Sequence, residues 1–272
     1  NFDKYNESIN KIPVTIITGY LGSGKTTFIN YLLKQNHGNK FAIIENEFGE
    51  VGIDDELVKK TEEEIIEMMN GCICCTVRKD LIITIKELID KKRDKFNHII
   101  IETTGLADPA PVAQTFFVDD DMSNLCKLDS IVTFIDAKFT GLHLDEVKSL
   151  GVENEAHEQV AFADVMVLNK IDLVNQEELK SIKKKLKAIN VHAPIIESKY
   201  SNIPIEKIIN INAFDLEKIL EMDESFLNID SEHHHDSSIT SFGIHIEGSF
   251  NIDKLNKWFT KLMIQNGKDL YR

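Results

Sequence analysis

A doubly wound α/β fold with a mostly parallel sheet is what the sequence predicts, and three observations carry the prediction. Short runs rich in Val and Ile alternate with segments of helical period. Those runs are apolar throughout rather than alternating, which marks strands buried on both faces. Strand-helix-strand order also demands crossover connections, and their right-handed sense builds a single parallel sheet.

Strands are expected at residues 14–18, 41–44, 98–101, 131–135, 165–168 and 194–197. Helices are expected at 26–36, 81–92, 154–163 and 177–189, with Gly38 as a stop signal. The pattern ends near Met222. Residues 223–238 are acidic and polar and contain His233, His234 and His235, which reads as an exposed linker; adjacent histidines in such a loop could bind metal but are more often incidental. A strand-like run at 241–247 and an amphipathic stretch at 252–265 follow. The stretch carries Leu255, Trp258, Phe259 and Leu262 on one side. The organisation is therefore a first domain over 1–222, a linker over 223–238 and the start of a smaller α+β domain over 239–272.

Composition bounds the function. The 272 residues, 42% apolar and 28% charged, are ordinary globular composition. With 31 basic against 45 acidic residues, the net charge of −14 argues against nucleic acid as a partner, because phosphate contacts need a positive field. No apolar run approaches the roughly 20 residues of a membrane helix, so no membrane partner is expected. The first twelve residues are polar, carry Asp3 and Glu7 and do not read as a signal peptide. Three of the four cysteines crowd into residues 71–75, unlike a secreted disulfide framework, and a reducing, cytoplasmic setting is expected.

The motifs sit where their chemistry requires. Gly19-Tyr20-Leu21-Gly22-Ser23-Gly24-Lys25-Thr26 fits the phosphate-loop pattern after a strand and at the start of a helix, and Thr27 follows in that helix. The glycines let backbone N–H groups and the helix N-terminus face a phosphate. Lys25 would then reach the β and γ phosphates, and the Thr26 hydroxyl would hold Mg²⁺. The strand at 98–101 ends in Glu102-Thr103-Thr104-Gly105: an acid to organise Mg²⁺ and its waters, then a glycine whose N–H can meet a γ-phosphate. Asp136, ending the next strand, is a rival for the acid. It lacks a glycine three residues on and ranks second, with a solvent-bound strand-end acid as its plainer reading.

Asn169-Lys170-Ile171-Asp172 has the form that reads guanine, since a carboxylate at Asp172 can accept from both N1–H and the 2-amino group. Adenine offers no such pair, so GTP rather than ATP is expected. The plainer reading of Asp172 is a helix N-cap. Cys72-Ile73-Cys74-Cys75 offers soft thiolates suited to Zn²⁺, but does not close a four-ligand site, which suits exchange. A redox pair or inert core thiols are the other readings of the spacing. Residues 45–50 offer hard oxygens, and a solvated acidic loop is the default for such a run. Of the three arginines, Arg78, Arg93 and Arg272, only Arg78 suits an arginine finger in cis.

Taken together, GYLGSGKTT at 19–27, IENEFGEVGID at 44–54, NGCICC at 70–75, IETTGLADPAPV at 101–112 and NKID at 169–172 resemble the CobW-type metallochaperone GTPases, including their YjiA-like and zinc-regulated members. The similarity runs from about Pro13 to Arg272. It implies a phosphate-loop GTPase fold and a weak, metal-responsive GTP hydrolysis. It further implies metal at Cys72, Cys74 and Cys75, with Cys74 central, and further metal contacts at Glu45 and Glu50. A C-terminal domain opening like 241–265 is usual in the family, and the chain is expected to end inside it.

The leading expectation is a GTPase that carries a transition metal, Zn²⁺ before Co²⁺, to a client metalloprotein. One rival is a phosphate-loop kinase with structural thiols, expected to be indifferent to zinc. The other is a nucleotide-gated binding module with a permanent structural metal, expected to show negligible turnover.

Overall fold

In chain order, the strands of the computed structural model are β1 (Ile12–Thr18), β2 (Phe41–Asn46), β3 (Glu64–Met68), β4 (His98–Glu102), β5 (Cys126–Asp136), β6 (Val165–Asn169) and β7 (Ile195–Glu197). The helices are α1 (Lys25–Leu33), α2 (Cys75–Lys92), α3 (Ala110–Val118), α4 (Asp120–Leu125), α5 (Thr140–Leu144), α6 (Glu155–Ala161), α7 (Gln176–Ile189), α8 (Leu216–Met222) and α9 (Ile252–Asn266). The structure describes residues 11–34, 38–46, 64–68, 75–105, 107–145, 154–222, 226–227 and 251–266. The linker histidines and the strand-like run at 241–247 lie outside the described residues, as does most of 223–238.

The strands form one sheet in the order β3-β2-β4-β1-β5-β6-β7, and every neighbouring pair is parallel. Such a sheet must be covered on both faces. Adjacent strand residues point to opposite faces, and the core divides accordingly. Ile16, Ile99 and Ile101 pack with Leu81, Ile85 and Leu88 of α2 and with Val112 and Phe116 of α3. Ile17, Ile43 and Ile100 pack with Phe28, Ile29 and Leu32 of α1. A third cluster sets Ile135, Met166 and Leu168 against Leu179, Ile182 and Leu186 of α7. Those three α7 residues recur at helical spacing, and the helix opens with a capping box between Asn175 and Glu178.

Each of the six strands expected before residue 222 is present, and β5 starts five residues earlier than its apolar run. The interruption is Asp129, which is buried and accepts from Thr15 Oγ1 (3.3 Å) and the N–H of Asn212 (2.6 Å). Its backbone carbonyl also takes the N–H groups of Ala213 and Phe214. Thr15 Oγ1 in turn bonds His98 Nε2 at 2.8 Å, and burial pushes the imidazole down to about 4. Asp129, Thr15 and His98 thus hold β1, β4 and β5 together through side-chain hydrogen bonds.

Candidate nucleotide site

Ligands of open parallel sheets bind outside the carboxyl ends of the strands, where the connections diverge. Here β1 lies between β4 and β5, and its carboxyl end runs directly into the phosphate loop. Gly19, Gly22 and Gly24 take φ of 131°, 74° and 108°. Gly24 has a second requirement: a Cβ there would come 2.4 Å from Asn169 Nδ2 and 2.6 Å from Ser201 Oγ. Lys25 opens α1, is buried, and donates from Nζ to the carbonyls of Gly19 (2.5 Å) and Tyr20 (3.3 Å), so its ammonium lies folded back over the loop. Ser23 is buried, and Thr27 is exposed on α1.

Thr26 Oγ1 donates to Glu102 Oε1 at 3.0 Å. Strand β4 pairs with β1 at Ile17↔Glu102, which brings the acid to the mouth of the loop, and it stays largely buried there. This pair of hard oxygens beside a phosphate loop fits Mg²⁺. Gly105 follows closely, for a Cβ on it would stand 2.5 Å from the Leu21 nitrogen, so the turn after β4 rests against the loop itself. Asp136 is occupied elsewhere. Its Oδ2 takes Lys170 Nζ at 2.7 Å and its Oδ1 takes the N–H groups of Lys138 and Phe139. The acid that meets Thr26 is Glu102.

Asn169 stitches the site together. Its Nδ2 donates to the Ser23 carbonyl and to Ser201 Oγ, both at 2.9 Å, while its Oδ1 accepts the Ser201 N–H at 3.0 Å. Ser201 Oγ passes the bond on to the Gly24 carbonyl at 2.8 Å. Lys170 adopts φ 58°, and Asp172 is exposed in a short 3₁₀ turn. The cap of α7 is Asn175, so Asp172 does not cap that helix and is exposed.

Glu45 is the last but one residue of β2, at the register position directly beside Glu102 of β4, and is buried. Cys75 is the first residue of α2. Cys72, Cys74 and Glu50 lie outside the described residues. Arg78 gives its guanidinium to the Gln114 side chain rather than to the phosphate loop.

Ser201 and Gln159 are functional candidates that the sequence reading passed over. Gln159 of α6 is buried, and its Nε2 donates to the carbonyls of Gly105 (3.2 Å) and Ala107 (3.0 Å). Ser201 carries one signal, its position just past a short strand, where a parallel sheet places its binding loops. Gln159 carries none, since a glutamine within a helical pattern reads as surface.

Comparison with known proteins gives the family. The family described as CobW/HypB/UreG, nucleotide-binding domain, matches residues 13–197. The chain belongs to the CobW/HypB/UreG family. Among its relatives, the zinc chaperone YjiA of Escherichia coli is 32% identical over 267 residues, covering 97% of this chain and 81% of that protein. Zinc-regulated GTPase metalloprotein activator 1 of Dictyostelium discoideum is 37% identical over 242 residues, 78% of this chain. The chain spans about half the length of that relative. The crystal structure of Zn(II)-bound YjiA GTPase superposes with a TM-score of 0.59 at 28% identity, covering 95% of this chain and 79% of that one. The CobW fold seen here is therefore a phosphate-loop GTPase fold. No helix among the described residues is long and apolar enough to cross a membrane.

Proposed function

We propose that this chain is a GTP-hydrolysing metallochaperone that takes up zinc at Cys72, Cys74 and Cys75, aided by Glu45 and Glu50, and passes it to a client metalloprotein in the cytoplasm. Zinc is cargo here, held by a ligand set open enough to release it. The observation that carries the reading is the pairing of Glu45 with Glu102 on adjacent strands. Parallel neighbours lie about 4.8 Å apart. The acid implied for the cargo and the acid at the phosphate loop are thus one strand spacing from each other, close enough for each occupant to alter the other's site.

The nucleotide chemistry follows from the same residues. Backbone N–H groups of 19–24 and the start of α1 would face the phosphates, and the Lys25 ammonium would leave the Gly19 and Tyr20 carbonyls to reach the β and γ groups. Thr26 and Glu102 would hold Mg²⁺, which supplies neutralisation of phosphate charge when bound. Asp172 accepts from guanine, with Asn169 and Lys170 holding its loop in place. Water adds to the γ-phosphorus, the bond to the β,γ-bridging oxygen breaks, and GDP and phosphate leave. Only the triphosphate offers Gly105 a γ-phosphate, so the turn after β4 distinguishes GTP from GDP.

Gln159→Leu removes both donors to that turn while keeping bulk. We expect it to weaken binding of a GTP analogue by about tenfold, the loss of one to two hydrogen bonds, and to leave GDP affinity within about twofold. Titration with fluorescent analogues of each nucleotide checks this.

The proposal itself is tested by titrating Zn²⁺ against a chromophoric chelator with Mg-GTP analogue, Mg-GDP or Mg-ATP, in wild type and Cys74→Ser. Zinc affinity should differ between the two guanine nucleotides, ignore ATP, and collapse in the serine variant. Equal affinity in every nucleotide state would remove the chaperone reading.

A further inference from the structure

The helix that opens at the third cysteine is tied to the segment that follows Glu102. Arg78 stands one helical turn after Cys75 in α2, and its Nη2 donates to Gln114 Oε1 of α3 at 2.6 Å. Gln114 is only 2% exposed, so its carbonyl oxygen has little water to turn to if the guanidinium leaves. A charged donor on such an acceptor is among the stronger side-chain hydrogen bonds.

What lies beyond Gln114 leads to the nucleotide. The chain enters α3 through Asp108, whose Oδ1 accepts the Ala110 N–H at 2.8 Å. Just before it, the carbonyls of Gly105 and Ala107 are held by Gln159, and Gly105 rests on Leu21 of the phosphate loop. From Cys75 to the phosphate loop there is thus the first turn of α2, one side-chain hydrogen bond, a second helix, and the Gly105 and Ala107 carbonyls held by Gln159. Helices shift as rods by small translations, and packed interfaces pass such shifts on rather than absorbing them.

We infer that the Arg78–Gln114 hydrogen bond is the relay through which the γ-phosphate alters the zinc site, with both residues acting as positioning residues that touch neither ion nor nucleotide. This rests on the chaperone reading above. When Gly105 is drawn to a γ-phosphate, α3 moves with it, and Arg78 carries the displacement to the first turn of α2, where Cys75 stands. Without that bond, each site still binds its own ligand, but the two no longer sense each other.

The test is zinc affinity with Mg-GTP analogue and with Mg-GDP, expressed as a ratio, in wild type, Arg78→Ala, Gln114→Leu and Gln114→Glu. Typical coupling is about 5- to 150-fold. The ratio should fall to near one in Arg78→Ala and Gln114→Leu. It should persist in Gln114→Glu, which keeps an acceptor for the guanidinium. A merely structural contact would lower zinc affinity equally in both nucleotide states and leave the ratio alone. A wild-type ratio that survives in both disrupting variants overturns the relay while sparing the chaperone reading; a wild-type ratio of one overturns both. Hydrogen exchange on the wild type supplies a check free of folding defects. The GTP analogue without metal should slow exchange at 78–82 relative to GDP, and identical exchange would overturn the relay.

Discussion

Asp172→Asn will lower affinity for guanine nucleotides by about 10³-fold, the loss of two charge-assisted hydrogen bonds. The carboxylate is exposed, makes no helix cap, and sits on a turn held by the Lys170–Asp136 ion pair on one side and Asn169 on the other. Its function is therefore separable from the fold, and the thermal midpoint should move little. An amide presents one acceptor and one donor in place of two acceptors. It matches a base with N1–H and a 2-oxo group, so affinity for xanthine nucleotides should rise as that for guanine falls. Competition against a fluorescent guanine nucleotide measures both. Unchanged guanine affinity would mean that the base is read elsewhere.

The second large effect is at Lys25. Lys25→Met keeps the stem that packs at the start of α1 and removes only the ammonium. Stripping one preorganised charge from the developing transition state should cost about 10²- to 10³-fold in the hydrolysis rate. Affinity for GDP should fall less than affinity for a GTP analogue, because the ammonium reaches toward the outer phosphates. Single-turnover hydrolysis separates the two effects, since a loss confined to binding would appear at low enzyme concentration and vanish at saturation.

The legible parts of this molecule are those governed by local rules. Strands β1, β2, β4, β5 and β6 announced themselves as short, largely apolar runs rich in Ile and Val, and the phosphate loop, Glu102 and Asn169 stood out because each falls at a strand's carboxyl end. What escaped was non-local. The sequence EIIEM of β3 reads as loop because acids bracket its apolar pair, and only pairing with β2 makes it a strand. Charged residues suit such an edge. Helix α3 was hidden by Pro109 and Pro111, which disfavour a helix interior but are tolerated in a first turn, where no N–H partner is lost. Gln159, Gln114 and Ser201 gain meaning only from the backbone groups and side chains that other parts of the chain bring to them.

Reciprocal linkage gives the most direct measurement of all. If zinc and the γ-phosphate share one coupled element, the factor by which Mg-GTP analogue changes zinc affinity must equal the factor by which zinc changes analogue affinity. Measuring analogue binding with and without saturating Zn²⁺, and the same pair for GDP, should show a zinc-dependent shift for the triphosphate and almost none for the diphosphate. Analogue affinity that is the same with and without zinc would contradict the account.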